Sequence, residues 1–228
     1  MSDHLARAAR VVHQFTARGL GLGDALTELC EVSVPATGAD MAGMTLTDEY
    51  GRARTRAFTK HMVTDIEEAQ YASGRGPCLE AARTHAACEM QNAAGEERWP
   101  EFAERAAGYG ICSTLSVPML LGDRSVGALN LYRHADGPWD QTSAENAQLI
   151  ADLSVAVAEF SQVSALADNL SKALESRGVI EQAKGVVMAT TGVDADSAFG
   201  VLRQQSQSEN RKLREIAEEL VGRQRREQ

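Results

Sequence analysis

The 228-residue sequence is poor in aromatics (5%) and carries four cysteines, Cys30, Cys78, Cys88 and Cys112, with no CxxC pair and no Cys/His cluster at zinc spacing. Neither a disulfide framework nor a structural metal is therefore implied, and the thiols read as small buried apolar side chains in a reducing compartment. Long apolar runs are missing as well. Val117-Pro-Met-Leu-Leu121 falls far short of the roughly 20 residues of a membrane helix, and the first residues lack a charged-then-apolar signal, so a cytoplasmic protein with no membrane partner is expected. A phosphate-cradling Gly-Lys-Ser/Thr ending and a helix-opening GxGxxG are both absent. His61 and His85 each stand without a paired ligand, so haem ligation is not indicated, and no cofactor or metal is expected.

What is present is ordinary globular composition, 43% hydrophobic and 24% charged, enough for about one to two domains. The net charge of -9 is unevenly placed: residues 1–167 hold 13 Lys+Arg against 22 Asp+Glu, residues 168–228 hold 10 against 10. Arg211, Lys212, Arg214, Arg223, Arg225 and Arg226 crowd the C-terminal end, where they can meet phosphate or complement a helix C-terminus.

An amphipathic helix with Leu5, Ala8, Val12 and Phe15 opens the chain, and a second starts at the N-cap residue Asp24. Met41–Leu46 and Ala53–Phe58 flank the turn Asp48-Glu-Tyr-Gly51 and read as a hairpin; Thr114–Leu120 and Ser125–Tyr132, either side of Gly122-Asp123-Arg124, read as another. Strands mixed with helices, and helices at both ends, give an α+β class built on an antiparallel sheet. Gly74, Gly76 and Pro77 form a rigid turn, serving either backbone approach to a ligand or a plain loop-to-helix junction.

Leu149, Leu153, Ala156, Phe160, Val163, Ala167, Leu170 and Leu174 alternate steps of four and three without Pro or Gly, a heptad seam that ends at Gly178. Ser143 or Thr142 caps this helix, with Glu145 near its third position, and about 30 residues at 1.5 Å rise project roughly 45 Å. A parallel two-chain coiled coil, hence a homodimer, is the expected use of that seam. The helix should continue to about Thr190 and stop at Gly192; a helix capped by Asp194 or Asp196 follows, with Ala198, Phe199, Val201 and Leu202 as apolar positions and Phe199 in the core, then a last helix over Leu213–Val221.

Two stretches resemble known families. The run Gln70-Tyr-Ala-Ser-Gly-Arg-Gly-Pro-Cys-Leu-Glu-Ala81, then Arg98-Trp-Pro-Glu-Phe102, Ser116-Val-Pro-Met119 and Val126–Tyr132, is similar to GAF domains, which implies an antiparallel sheet flanked by helices and a pocket for an unknown small-molecule ligand. The run Leu174–Met188, with Glu-Gln-Ala-Lys-Gly inside it, followed by Ala198-Phe-Gly-Val-Leu-Arg-Gln-Gln-Ser206 and Asn210-Arg-Lys-Leu-Arg-Glu-Ile-Ala217, resembles an ANTAR domain. That resemblance implies a C-terminal three-helix bundle that binds paired RNA hairpins with six-base loops and prevents a terminator from forming. The matching positions are Arg177, Ala183, Lys184, Gly185, Arg203, Ser206, Asn210 and Lys212. Arg177 and Lys184, seven residues apart, share one helix face with Glu181 between them, and small residues at 183 and 185 allow close approach.

The expected organisation is an N-terminal helix (1–19), a GAF-like sensor (20–141), a coiled-coil signalling helix (142–167) and an ANTAR bundle (168–228), working as a non-enzymatic, signal-responsive antitermination regulator. Two alternatives stand beside it. One is a ligand-sensing dimer acting through protein contacts. The other is a free methionine sulfoxide reductase of GAF type, suggested by Gly74-Arg-Gly-Pro-Cys78 with Cys88 and Cys112, although Asn130 stands where that family places an acid.

Overall fold

Period-2 burial along two strands decides which side of the sheet is core. In β1 (Met41–Thr47) and β5 (Arg124–Arg133), Ala42, Met44, Leu129 and Leu131 point to one apolar cluster, while Met41, Thr45, Asn130 and Tyr132 face the other side. With β2 (Ala53–Phe58), β3 (Cys88–Met90) and β4 (Ser113–Leu121) they form a five-stranded antiparallel sheet in the order β2-β1-β5-β4-β3. These observations come from a computed structural model that describes residues 3–17, 19–48 and 50–226, with side chains described up to 224. Both expected hairpins are present, the first closed by Asp48, whose Oδ1 accepts from the backbone N–H of Tyr50 and Arg52, each at 2.9 Å.

Helices α1 (Asp3–Thr16) and α2 (Leu22–Thr37) and the start of α6 (Gln141–Thr191) cover the apolar face through Val11, Leu26, Leu29, Ile150, Ala151 and Val157. On the other face, α3 (Met62–Ser73), α4 (Pro77–Thr84) and α5 (Pro100–Gly108) enclose a smaller cluster around Ile66, Trp99, Phe102 and Tyr132. Two expected caps shift. Helix α2 begins at Leu22 with Gly21 as N-cap and Asp24 inside its first turn. Helix α6 is started by Asp140, which accepts from the Ser143 N–H at 2.8 Å; Ser143 lies buried within the helix and donates its hydroxyl to the Thr37 carbonyl at 2.9 Å.

The chain divides into two compact units, residues 1–161 and 162–228. In the second, the end of α6, α7 (Ala195–Glu209) and α8 (Leu213–Arg226) pack Ala183, Val187, Ala198, Leu202, Ile216 and Ala217 into a small core. Gly192, at φ +73°, ends α6, and Asp194 caps α7 by accepting from the Ser197 N–H at 2.7 Å. By length and composition alone, α6 contains an 18-residue stretch apolar enough to cross a membrane, which the shortness of the uninterrupted apolar runs conceals; 33% of that stretch is buried within the protein.

Candidate functional site

The small bundle carries the cations expected to touch RNA, and its ion pairs sort them. Arg211 is held by Glu209 and Glu219 (2.9 and 2.8 Å), Arg214 by Glu218 (2.6 Å) and Glu175 (3.6 Å), and Arg223 by Glu219. These pairs neutralise most of the arginine cluster legible at the C-terminal end; the side chains of Arg225 and Arg226, also expected there, lie outside the described residues. Arg177, Arg203 and Lys212, in contrast, are exposed and make no ion pair among the described residues. Lys184 lies between these cases, mostly covered and paired with Glu181 at 3.0 Å, so the acid expected between Arg177 and Lys184 binds Lys184 directly.

The remaining expected positions divide into surface and scaffold. Gly185 is exposed, and a Cβ there would meet nothing within 4 Å. Ala183 is fully buried in the bundle core, so its small size serves helix packing and not access from outside. Asn210 is the left-handed C-cap of α7 at φ 51°, a conformation Asn tolerates, and the Ser206 hydroxyl donates to the Arg211 carbonyl at 2.5 Å across the same turn. Both residues therefore fix the α7–α8 corner that presents Lys212. Phe199 corrects the expectation for the core: it is 39% exposed while its neighbours Ala198 and Leu202 are buried. Its position could have been read from the helix period, because Ala198 and Leu202 define the inward line and Phe199 falls about 100° from Ala198.

Along α6 the residues also separate by environment. Ala147, Ile150, Ala151, Ser154 and Val157 face the sensor core, whereas Leu149, Phe160, Val163, Leu170 and Leu174 are exposed. Val163, Leu170 and Leu174 stand 62%, 59% and 61% accessible; Ala156 and Ala167 are exposed and Leu153 is half-buried. Phe160 meets Phe15 of α1 edge-on, with ring centroids 5.8 Å apart.

The polar face of the sensor sheet holds a second constellation. Glu67 of α3 is completely buried against it, and its Oε1 accepts from Asn130 Nδ2 at 2.8 Å and the Tyr132 hydroxyl at 3.1 Å. Its Oε2 accepts from the Thr55 hydroxyl, from the Tyr71 hydroxyl at 3.1 Å and from the Thr45 hydroxyl at 3.5 Å. No cation among the described residues joins this set, and burial pushes the carboxyl above the usual glutamate range against the lowering pull of Thr55, Asn130, Tyr132 and Tyr71. Gly43 makes the space, since a Cβ there would lie 2.6 Å from both Glu67 Oε1 and Val63 Cγ1. Nearby, Gln70 Oε1 accepts from the Cys78 N–H at 3.1 Å, and the Gln70 amide nitrogen is buried without a partner among the described residues.

The glycine turn of the sensor is a junction of α3 and α4. Gly74 caps α3 at φ +68°, and a Cβ at Gly76 would collide with Gln70. The turn also frames a cleft of about 420 Å³ in which Arg75 donates to the Arg98 carbonyl at 2.8 Å and Arg98 grips Glu96. Cys78 follows the turn, buried, and burial with the nearby Glu67 pushes its thiol up to about 12, the reverse of what a nucleophile needs. His61 is exposed beside Thr64, and His85 is the left-handed cap of α4.

Comparison with known proteins matches both halves. The GAF domain family matches residues 19–157 and the ANTAR domain family residues 168–221. No curated protein matches significantly. Solved structures of similar fold include the phycoerythrobilin-bound GAF domain from a cyanobacterial phytochrome, at 14% identity over 72% of this chain and 98% of that one, with a TM-score of 0.56. The GAF domain of an Acinetobacter phosphoenolpyruvate-protein phosphotransferase aligns at 15% identity over 74% and 99%, TM-score 0.54. A free methionine-R-sulfoxide reductase from Neisseria meningitidis, solved with its substrate, aligns at 18% identity over 72% and 95%, TM-score 0.52. At such identities these likenesses speak for the sheet and its flanking helices alone. The first family match takes in well over half of the sequence, and the chain belongs to the GAF domain family, with an ANTAR domain following its GAF domain.

Proposed function

We propose that the chain is a cytoplasmic, non-enzymatic regulator of transcription antitermination that binds paired RNA hairpins with six-base loops as a homodimer, under control of its GAF domain. The observation that carries this reading is the sorting of charge on the ANTAR module. Carboxylates neutralise Arg211, Arg214 and Arg223, while Arg177, Arg203 and Lys212, three of the motif positions, stay exposed and free of ion pairs among the described residues. Unpaired cations of this kind hold phosphates without first breaking an intramolecular pair, and their neighbours meet unpaired loop bases. Lys184 contributes to the same face by exchanging Glu181 for a phosphate, and Gly185 leaves room for the backbone to approach.

Dimerisation uses the bare side of α6. The exposed apolar side chains Val163, Leu170 and Leu174 continue the seam begun by Leu149, Leu153, Ala156 and Phe160, with Ala167 between them. A second copy in parallel register covers such a stripe with the same stripe, which makes residues 142–167 the coiled-coil signalling helix and delivers two RNA-binding modules to two hairpins. A signal at the GAF domain acts through different affinities for two arrangements of that coil; a coupling of about 1–3 kcal/mol changes RNA affinity about 5- to 150-fold.

The test is binding of the full chain to a two-hairpin RNA with six-base loops against the same stems with scrambled loops. Replacing Arg177, Arg203 and Lys212 with alanine is expected to weaken binding and to flatten the plot of log affinity against log salt by about 2 for three lost phosphate contacts. Equal binding to both RNAs, or an unchanged salt slope in the triple variant, rejects the reading.

A further inference from the structure

We propose that Phe199 is a base-stacking platform of the RNA face, taking one unpaired nucleobase of the loop on its ring while Arg203 holds that nucleotide's phosphate; the inference rests on the RNA-binding reading above. Phe199 is the sole aromatic residue in 161–228. A bundle with so small a core gains most by burying its one large apolar ring, yet α7 turns Ala198 and Leu202 inward and leaves Phe199 39% exposed.

The surroundings of the ring fit a flat, isolated partner. On an α-helix the positions four and seven residues on from 199 return to its side, so Phe199 shares its flank with Arg203 and Ser206, beside the buried Leu202. Arg203 is exposed without an ion pair among the described residues, and Ser206 and Asn210 bond into the α7–α8 corner. A helix face made for another protein repeats apolar side chains at these spacings. Here the accessible repeat is one ring followed by a cation and the half-buried Ser206, and the exposed Val201 falls about 200° away around the helix. Gly200 beside the ring leaves its flank open, since a Cβ there would meet nothing within 4 Å. Asp196 lies one turn before Phe199 and repels phosphate, so the strand leaves the stacked base toward Arg203. An aromatic with an adjacent free guanidinium is the arrangement by which unpaired bases are held through stacking and their backbone through charge.

The experiment measures binding of the full-length protein, its Phe199→Leu variant and its Phe199→Tyr variant to the two-hairpin RNA, with each loop base replaced in turn by an abasic site. Loss of a stack weakens binding about 5- to 150-fold, so Phe199→Leu is expected to bind about tenfold more weakly and Phe199→Tyr within about twofold of the parent. One abasic position should weaken the parent by the same factor as Phe199→Leu and cost the leucine variant nothing further. Leucine binding like phenylalanine, or abasic penalties that are the same in parent and variant at every loop position, overturns the proposal while leaving the RNA-binding reading intact. Absence of loop-dependent binding by the parent defeats both. A leucine variant that changes sedimentation but not the abasic penalties assigns Phe199 to a protein contact, and thermal melting monitored by helicity separates any of these from unfolding.

Discussion

Glu67 is an acid surrounded by neutral donors, with Tyr71 on its own helix, Thr45 on β1, Thr55 on β2, Asn130 and Tyr132 on β5 and no basic side chain among its hydrogen-bond partners in the described residues. Burial wins over the hydroxyl and amide donors and raises its folded-state pKa, which fixes the sign of its effect on stability. The contribution is fully present below the unfolded glutamate pKa and is lost as pH rises through the raised folded value, at up to about 1.4 kcal/mol per pH unit between the two. Urea denaturation of the full chain across that window is expected to show this slope, and Glu67→Gln to remove it, because the amide keeps the shape and its donors find the Thr55, Thr45 and Tyr71 oxygens. A slope that persists in the glutamine variant assigns it to another group. Gly43→Ala acts on the same spot by crowding Glu67 Oε1 and Val63 Cγ1, and a loss of about 1–3 kcal/mol in the same denaturation experiment is expected for overpacking in a closed interior. Cys78, with its thiol pushed up to about 12 and 1% exposed, should resist alkylation in the native protein, while the half-buried Cys88 and Cys112 are modified first; peptide mass mapping after brief iodoacetamide treatment reads the order.

Helix α6 shows how one element serves several surfaces through its period. Ala147, Ile150, Ala151 and Val157 face the sensor core, with Leu153 and Phe160 at its margin, Ala183 and Val187 belong to the bundle core, and Val163, Leu170 and Leu174 of the heptad line remain exposed. Leu170→Glu with Leu174→Glu is therefore expected to leave the folded single chain undisturbed, since both side chains are already about 60% exposed, and to weaken dimerisation by about a hundredfold or more, two buried leucines per chain being worth roughly 3 kcal/mol or above. Sedimentation velocity over a concentration series checks this; an unchanged dimer places the interface elsewhere. The two hairpins and the stop at Gly192 were legible in the sequence because each rests on a local rule: alternation of two, or a left-handed glycine. The α6 cap was misread because Asp140 and Ser143 are both good capping residues, and the choice was made by contact between Ser143 and Thr37, 106 residues away in sequence. Glu67 gave no signal, since an acid on a short helix ordinarily reads as solvated. Its only trace was polar Thr45 and Asn130 within strands whose alternate residues are apolar. Phe199 was misplaced by treating a large apolar side chain as core, when the positions of Ala198 and Leu202 already turned it outward.

At the scale of the whole molecule the sequence is electrostatically divided, with the entire net charge of -9 in residues 1–167 and none in 168–228. A polyanion approaching the ANTAR module therefore meets local cations, Arg177, Arg203 and Lys212, against a background field set by the acidic sensor. The local contacts and the background field respond differently to salt. Contacts within a few ångströms persist where the Debye length is about 8–10 Å, whereas any repulsion acting beyond that length is largely screened there and is felt chiefly near 0.01 M, where the Debye length reaches about 30 Å. The sensor is thus expected to slow RNA association at low salt and to have little electrostatic influence at 0.15 M. Reversing four exposed acids of the sensor, Glu68, Glu101, Glu104 and Asp123, to lysine in the full chain tests this without removing the coil or the bundle. Stopped-flow association with a two-hairpin RNA should be accelerated several-fold near 0.01 M salt, with the gain shrinking toward unity near 0.15 M and the dissociation rate little changed, as expected when long-range charge acts on encounter and not on the docked contacts. A gain that appears in the dissociation rate, or that survives at 0.15 M, instead makes the sensor surface part of the RNA-binding site.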